Sequence, residues 1–253
     1  MKAPDGNKLA ILNALNQGGF ISGQVLGEQL GISRAAISKH IKSLQEMGLD
    51  IFKVTGKGYS LNSQVGLLNQ AQIHQYYQAL GATTAKVEVH PIIDSTNSEL
   101  MRRIQAKNEL ESGTVIVAEM QQLGRGRRGR VWQSPFGANL YYSYFWRLDD
   151  GIQAAMGVSI VVGLAVYDAI KALYNIEVEL KWPNDIYLNK QKLAGVLVEL
   201  DAQPQGPCQL VIGIGINLQM PESFSQHIDQ AWTDLSQHTQ QLNKNQLVAS
   251  LTY

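Results

Sequence analysis

The chain has 253 residues, 45% hydrophobic and 17% charged, with 21 Lys and Arg against 21 Asp and Glu. That suits one large globular domain with a small one attached. The zero net charge excludes a global basic field, so any nucleic-acid contact must come from a local patch. A single cysteine, Cys208, excludes an internal disulfide. Beside Pro207, with no base nearby in sequence, it reads as a packing residue. The N-terminus lacks a basic-then-apolar signal pattern. The most apolar run, Ala154 to Ala172, is broken by Gly157, Gly163 and Asp168 and reads as a buried helix, not a membrane span. A cytoplasmic protein with no membrane partner is expected.

Leu9 to Leu15 carries apolar residues at helical spacing and stops at Gly18-Gly19. Ser22 can cap a second helix with Val25, Leu26 and Leu30 on its buried face. After the turn Gly31-Ile32-Ser33, Ser33 can cap a third helix from Arg34 to Met47. Ile37, Ile41 and Leu44 point inward there, Arg34, Ser38, Lys39 and Lys42 lie on or near the other face, and Gly48 ends it. Two short alternating stretches around Gly56-Lys57-Gly58 then form a hairpin. Helix, glycine turn, polar-basic helix and hairpin make a winged helix-turn-helix. Ser33, Arg34, Ser38 and Lys39 would face the major groove, with Lys57 on the wing touching phosphate. Such modules also dock proteins, but the basic outward face favours DNA. Residues 62–82 read as a connection with a short helix from Asn69 to Leu80, whose Tyr76, Tyr77 and Leu80 pack on one side or the other.

Lys86 to Ile93 alternates as a strand and ends at Asp94-Ser95-Thr96-Asn97, ahead of a helix from Ser98 to Ala106 with Leu100, Met101 and Ile104 inward. Those four polar residues read as ordinary caps or as one wall of a polar pocket. Gly113 to Glu119 is a buried strand that delivers Gln121-Gln122 and then Gly124-Arg125-Gly126-Arg127-Arg128-Gly129-Arg130. Four guanidiniums hinged by glycine suit an anion-binding loop, against the plainer reading of a solvated basic loop. The spacing fits G-x-G-x-x-G, but Val131-Trp132-Gln133-Ser134-Pro135 is no helix start, which argues against a dinucleotide fold.

Leu140 to Trp146 is a strand whose aromatics line a site or fill a core. A helix from Ala154 to Tyr174 and a strand from Val178 to Trp182 follow. Pro183-Asn184-Asp185 breaks that strand, Ile186 to Leu188 and Lys192 to Leu200 form a hairpin, and Gln209 to Asn217 is a last strand. Its Gly213-Ile214-Gly215 would let a ligand's flat face lie on backbone. The order predicts an α+β fold, a winged helix-turn-helix followed by a mixed β-sheet with flanking helices. The boundaries expected are 1–63, a linker helix at 64–82, and a larger domain at 83–253.

Several stretches, taken in order, resemble the bacterial biotin–protein ligases that double as repressors of the biotin operon. They are Ser-Thr-Asn at 95–97, Gln121-Gln122 with the arginine loop through Arg130, and Trp132. Ser-Pro-Phe-Gly-Ala-Asn-Leu at 134–140, Lys-Trp-Pro-Asn-Asp at 181–185, Lys-Leu-Ala-Gly at 192–195 and Gly-Ile-Gly-Ile-Asn at 213–217 follow. The resemblance implies a class II synthetase-like catalytic domain that uses biotin and MgATP to make biotinyl-5′-adenylate. The biotinyl group then passes to a lysine of the biotin carboxyl carrier protein of acetyl-CoA carboxylase. It implies biotin contacts from Ser95, Thr96, Asn97, Gln121, Arg125, Gly126, Arg127 and Lys192. Lys192, Arg125 and Arg127 would stabilise the reacting anions, and Arg130, Trp132, Asn184 and Asn217 would serve the nucleotide. Asp185 would assist catalysis and hold magnesium, although an Asx turn after Pro183 explains it equally well. Operator DNA and a homodimer formed with bound adenylate are the further partners implied. The family's C-terminal β-barrel is expected to be absent, the chain ending within a helix around Leu247, Val248 and Leu251. A non-catalytic biotin-sensing transcription factor is the alternative. A lipoyl-transferring relative is disfavoured, since such enzymes lack this loop and the winged helix.

Overall fold

The computed structural model describes residues 6–62, 65–82, 86–107, 109–149, 155, 157–202 and 207–253. Three helices open the chain: α1 (Gly6–Asn16), α2 (Gly23–Leu30) and α3 (Arg34–Glu46). The Ser22 and Ser33 hydroxyls accept the N–H groups of Val25 and Ala36 at 3.1 and 3.2 Å, each such cap contributing about 1 kcal/mol. Gly31, at φ 66°, ends α2 in the left-handed region and turns the chain into α3. Ile11, Leu12, Leu15, Leu26, Ile37, Ile41 and Leu44 are buried. Val25, expected inside, is 43% exposed, and Leu30 is only partly buried. The inward face of α2 is Gly23-Leu26-Gly27 instead, because a β-carbon at Gly27 would lie 2.7 Å from the Ile32 carbonyl. That close approach rotates Val25 outward. Strands β1 (Ile51–Val54) and β2 (Gly58–Leu61) pair antiparallel as the wing, and Ile21 bridges to Tyr59 beside them.

Helix α4 (Gln70–Ala79) is capped by Asn69, whose side chain accepts the Gln72 N–H. Tyr76 and Tyr77 pack on the large core. Leu80 falls just past the helix end and is exposed, contrary to expectation.

Seven strands follow: β3 (Lys86–His90), β4 (Thr114–Ala118), β5 (Leu140–Leu148), β6 (Glu179–Lys181), β7 (Asp185–Leu188), β8 (Gln191–Ala202) and β9 (Cys208–Ile216). They form one sheet in the order β3-β4-β5-β9-β8-β7-β6. β3 and β4 are parallel and every other pair is antiparallel, giving the mixed sheet expected. Alternation divides its side chains between two cores. Val115, Val117, Leu140, Tyr142, Leu210 and Ile212 meet α4, α6 (Val158–Tyr174) and α7 (Lys244–Thr252). Ile116, Phe145 and Val211 meet Leu100 and Ile104 of α5 (Thr96–Gln105) on the opposite face. Cys208 is buried in the first core, as a packing residue should be.

Three of the boundaries that differ from the sequence reading bear on the site or the sheet edge. β3 stops at His90, because the next residues turn to place Ile93 in a single bridge with Gln121. α5 begins at Thr96, with Ser95 as its cap, so Thr96 and Asn97 occupy its first turn. β6 is a three-residue exposed edge, and Trp182 beyond it is 79% exposed. The expected helix start at Ala154 lies outside the described residues. Among the described residues, no helix is long and apolar enough to cross a membrane.

Two features tie the chain together. Glu119 and Lys244 form a buried ion pair at 2.7 Å, their side chains 5% and 4% exposed. Lys244 also donates to the Gly137 carbonyl at 3.0 Å, and the Leu68 N–H donates to Glu119. Strand exit, connection and last helix therefore meet at one point. In addition, Met120 and Phe136 of the larger domain are buried in the core of the N-terminal module, and the Phe136 N–H donates to the Met47 carbonyl at 2.8 Å.

Candidate active site

A cavity of about 370 Å³ lies on the α5 side of the sheet, floored by β8 and β9. Its floor is flat because Gly195, Gly213 and Gly215 bear no side chains there. The sequence reading gave Gly213-Ile214-Gly215 to a ligand, and all three border the cavity, where two protein side chains also pack against the strand. A β-carbon on Gly215 would lie 2.5 Å from the Trp132 indole, and one on Gly213 would collide with Asn97. Trp132 therefore lies on the strands, with the Lys192 ammonium 5.6 Å from its ring centroid. Its Nε1–H is buried and has no acceptor among the described residues. A stranded donor of this kind costs about 1–3 kcal/mol, which an incoming acceptor would recover.

One wall is a polar chain built at the start of α5. The Thr96 N–H and hydroxyl both donate to Gln121 Oε1, at 2.9 and 3.1 Å. The Ser143 hydroxyl lies 2.7 Å from Thr96 Oγ1 and 2.5 Å from Asn97 Oδ1, and its single proton serves one at a time. The Asn97 amide donates to Glu199 Oε2 at 2.9 Å and to the Leu197 carbonyl at 3.2 Å. Ser95, Thr96 and Asn97 are all buried. Ser95 caps α5 and lines the pocket as well, whereas Thr96 and Asn97 lie within the helix and serve the pocket wall alone.

The arginine loop closes on itself over this wall. Arg125 bridges to Val131, the Gly126 N–H donates to the Arg130 carbonyl at 2.8 Å, and the Trp132 N–H to the Gly124 carbonyl at 2.9 Å. The tip turns through Arg128 and Gly129, at φ 57° and 74°. Arg127 donates to Asn184 Oδ1 at 2.8 Å. Arg125 donates to Glu199 Oε1 at 2.8 Å and to Ser98 Oγ at 3.1 Å.

Lys192 and Asp185 face each other across the β7–β8 hairpin at 2.8 Å, both largely buried. Asn184 donates to the Val196 carbonyl at 3.0 Å, so both ends of its amide are engaged. Asn217 donates to the Thr233 and Lys192 carbonyls at 3.0 and 3.4 Å. It braces the segment that walls a second cavity, of about 340 Å³, lined in part by Arg130, Trp132, Lys192, His227 and Trp232. The two cavities adjoin across Trp132, Arg130 and Lys192.

All of Ser95, Thr96, Asn97, Gln121, Arg125, Gly126, Arg127, Arg130, Trp132, Asn184, Asp185 and Lys192 line the first cavity, while Asn217 lines the second. Ser33, Arg34, Ser38, Lys39 and Lys57 line neither and are exposed on the winged helix. Sequence reasoning missed Ser143, Glu199 and the 227–232 segment. Period-two alternation could have found the first two, because Ser143 shares a strand face with Tyr141, and Glu199 with Gly195. The segment has no motif.

A mixed-sheet catalytic domain behind a helix-turn-helix is the class that this fold and site define. Residues 89–217 match the biotin/lipoate A/B protein ligase family, and residues 7–60 match an HTH domain. The chain is 47% identical over 245 residues to the bifunctional ligase/repressor BirA of Salmonella typhimurium, covering 97% of this chain and 74% of that protein. To the Escherichia coli K12 protein of the same name it is 48% identical over 244 residues, covering 96% and 73%. It is similar to the structure of biotin protein ligase from Aquifex aeolicus in complex with biotin and ATP, with a TM-score of 0.55. That match is 29% identical and covers 67% of this chain and 68% of that one. The chain belongs to the biotin/lipoate A/B protein ligase family.

Proposed function

We propose that this protein activates biotin with ATP and passes the biotinyl group to a lysine of a biotin carboxyl carrier protein. We also propose that its winged helix reads the biotin operator. The observation that carries this reading is the pair of adjoining cavities that meet at Lys192 and Trp132 beneath a loop of four arginines. Two reactants can be held side by side there. The biotin carboxylate attacks the α-phosphorus of ATP, an acyl–phosphate bond forms, and pyrophosphate leaves. The acceptor amine then attacks the acyl carbon, and AMP departs with the bonding pair. The first step brings anion to anion, so cations fixed at the meeting point lower its barrier. Lys192 and Arg127 supply them, with Arg125 and Gly126 bordering the same space.

Ser95, Thr96, Asn97 and Gln121 offer the small polar set that a neutral ureido ring needs. Trp132, Arg130, Asn184 and Asn217 lie toward the nucleotide. Among the described residues no group of three or more His, Cys, Asp or Glu stands together to hold a metal. Magnesium arriving on ATP needs only one or two carboxylates and keeps much of its water. Asp185 fits that role, and the ion would neutralise phosphate charge. Divisions after 63 and 82 separate the reading module, the connection and the catalytic domain. Adenylate favours a homodimer, which sets two recognition helices on successive half-sites.

Acyl-adenylates hydrolyse readily, and the arginine loop acts as a lid that excludes water. Proteolysis near Arg127 should slow when adenylate is bound, and equal rates would remove the lid from this account. The direct test of the whole is biotin-dependent pyrophosphate release, followed by label transfer to a carrier fragment. Calorimetric titration with biotin, with and without ATP, should show tight binding that Arg127→Ala weakens. Binding without pyrophosphate release would favour a biotin-sensing repressor without ligase activity, and binding of lipoate in place of biotin would overturn the substrate.

A further inference from the structure

Glu199 is an anion set among donors beside a site made for anions, and nothing in the reaction above uses it. It stands on β8 with its side chain on the cavity side of the sheet, in register with Val211. One carboxylate oxygen takes Arg125 Nη1 at 2.8 Å and the other takes the Asn97 amide at 2.9 Å. The Arg125 fork is completed by Ser98 in the first turn of α5. The charge of Arg125 is therefore met within the protein, and its guanidinium points to β8 and α5. Arg127, by contrast, touches only the neutral Asn184 among the described contacts of its side chain.

We propose that Glu199 is a positioning residue that latches the arginine loop to the polar wall. Its two oxygens give the loop and the wall a common reference point. Through Arg125 it fixes where the loop crosses the cavity. Through Asn97 it fixes which way that amide faces, so that Oδ1 meets Ser143 and the chain to Thr96 and Gln121 stays in order. A glutamine has the same shape but only one acceptor oxygen. With donors on both sides, its NH₂ must face one of them, so one of the two links is lost. Charge-assisted hydrogen bonds are the strong ones, so the effect is measurable although Arg125 is partly exposed. The consequences for biotin rest on the ligase reading, whereas the latch itself does not.

The experiment compares wild type, Glu199→Gln, Arg125→Met and the double variant in two assays, with thermal melting as a fold control. Trypsin cleavage within 124–130, without biotin or ATP, should run about tenfold faster in E199Q, the loss of roughly one charge-assisted hydrogen bond. R125M should loosen the remaining arginines similarly, and E199Q should add less than about twofold in the R125M background, because the two act through one contact. In pyrophosphate release, E199Q should raise the biotin KM about tenfold while kcat stays within about threefold, as expected for lost positioning. Equal cleavage of E199Q and wild type would overturn the latch, and so would the same factor in both backgrounds. Should E199Q melt early, Ser98→Ala with R125M decides the matter: cleavage unchanged in both rejects the latch. Wild type without biotin-dependent pyrophosphate release would reject the ligase reading and leave the cleavage result to decide the latch.

Discussion

Replacing Lys244 with methionine removes the ammonium from a pair whose two side chains are at most 5% exposed. Glu119 then keeps the Leu68 N–H as a partner, inside a buried region. Breaking a buried pair on one side costs about 3–5 kcal/mol, a large share of the roughly 5–15 kcal/mol that holds a domain folded. With a urea slope of about 2–3 kcal/mol per molar, the unfolding midpoint should fall by about 1–2.5 M. The double variant Lys244→Met with Glu119→Gln should recover much of this. The glutamine carbonyl can still accept the Leu68 N–H, and no unpaired charge remains. Urea titration followed by far-UV circular dichroism reads both. A K244M loss below about 1 kcal/mol, or a double variant less stable than K244M, would refute the reasoning, since the pair would then be neither desolvated nor coupled.

Gly215→Ala must displace the Trp132 indole from 2.5 Å. It should cost about 1–3 kcal/mol in stability and raise the ATP KM in pyrophosphate release, and an unchanged KM would detach Trp132 from the nucleotide. The Arg103 hydrogen bond holds the Glu88 carboxyl below its usual range, and Arg102 does the same for Asp94 and, with Arg103, for Glu99. Because those folded-state values are depressed, the stability they contribute is present above the usual carboxylate range, near pH 4, and is lost as pH falls through the depressed values. Arg103→Met should therefore flatten the fall in urea midpoint between pH 5 and about pH 3, and an unchanged slope would count against the network. Lys57→Ala should weaken operator binding and lower its salt slope by about 0.9, the loss of one phosphate contact, and a slope equal to wild type would place Lys57 off the DNA.

The winged helix was legible because its signals are local: serine caps, a glycine turn and apolar spacing within single helices. Val25 escaped because which way α2 faces depends on Gly27 meeting Ile32, a contact between elements. The arginine loop announced its charge in composition, but Arg125's partner lies on β8, 74 positions away. Gly213 and Gly215 were read as room for a ligand. Both border the cavity, but sequence shows only the missing side chain and not that Asn97 and Trp132 pack against it. The Glu119–Lys244 pair left no trace in any motif, since its members are 125 positions apart and each reads as an ordinary surface charge.

Phe136 belongs by sequence to the stretch that follows the arginine loop, yet its ring completes the core of the N-terminal module. A cut in the peptide between the two halves would therefore not set the module adrift, because it would leave behind part of its own interior. The same residue limits how this chain can be recombined. A winged helix taken from elsewhere would have to present a socket for Phe136, and a borrowed catalytic half would have to bring a matching ring.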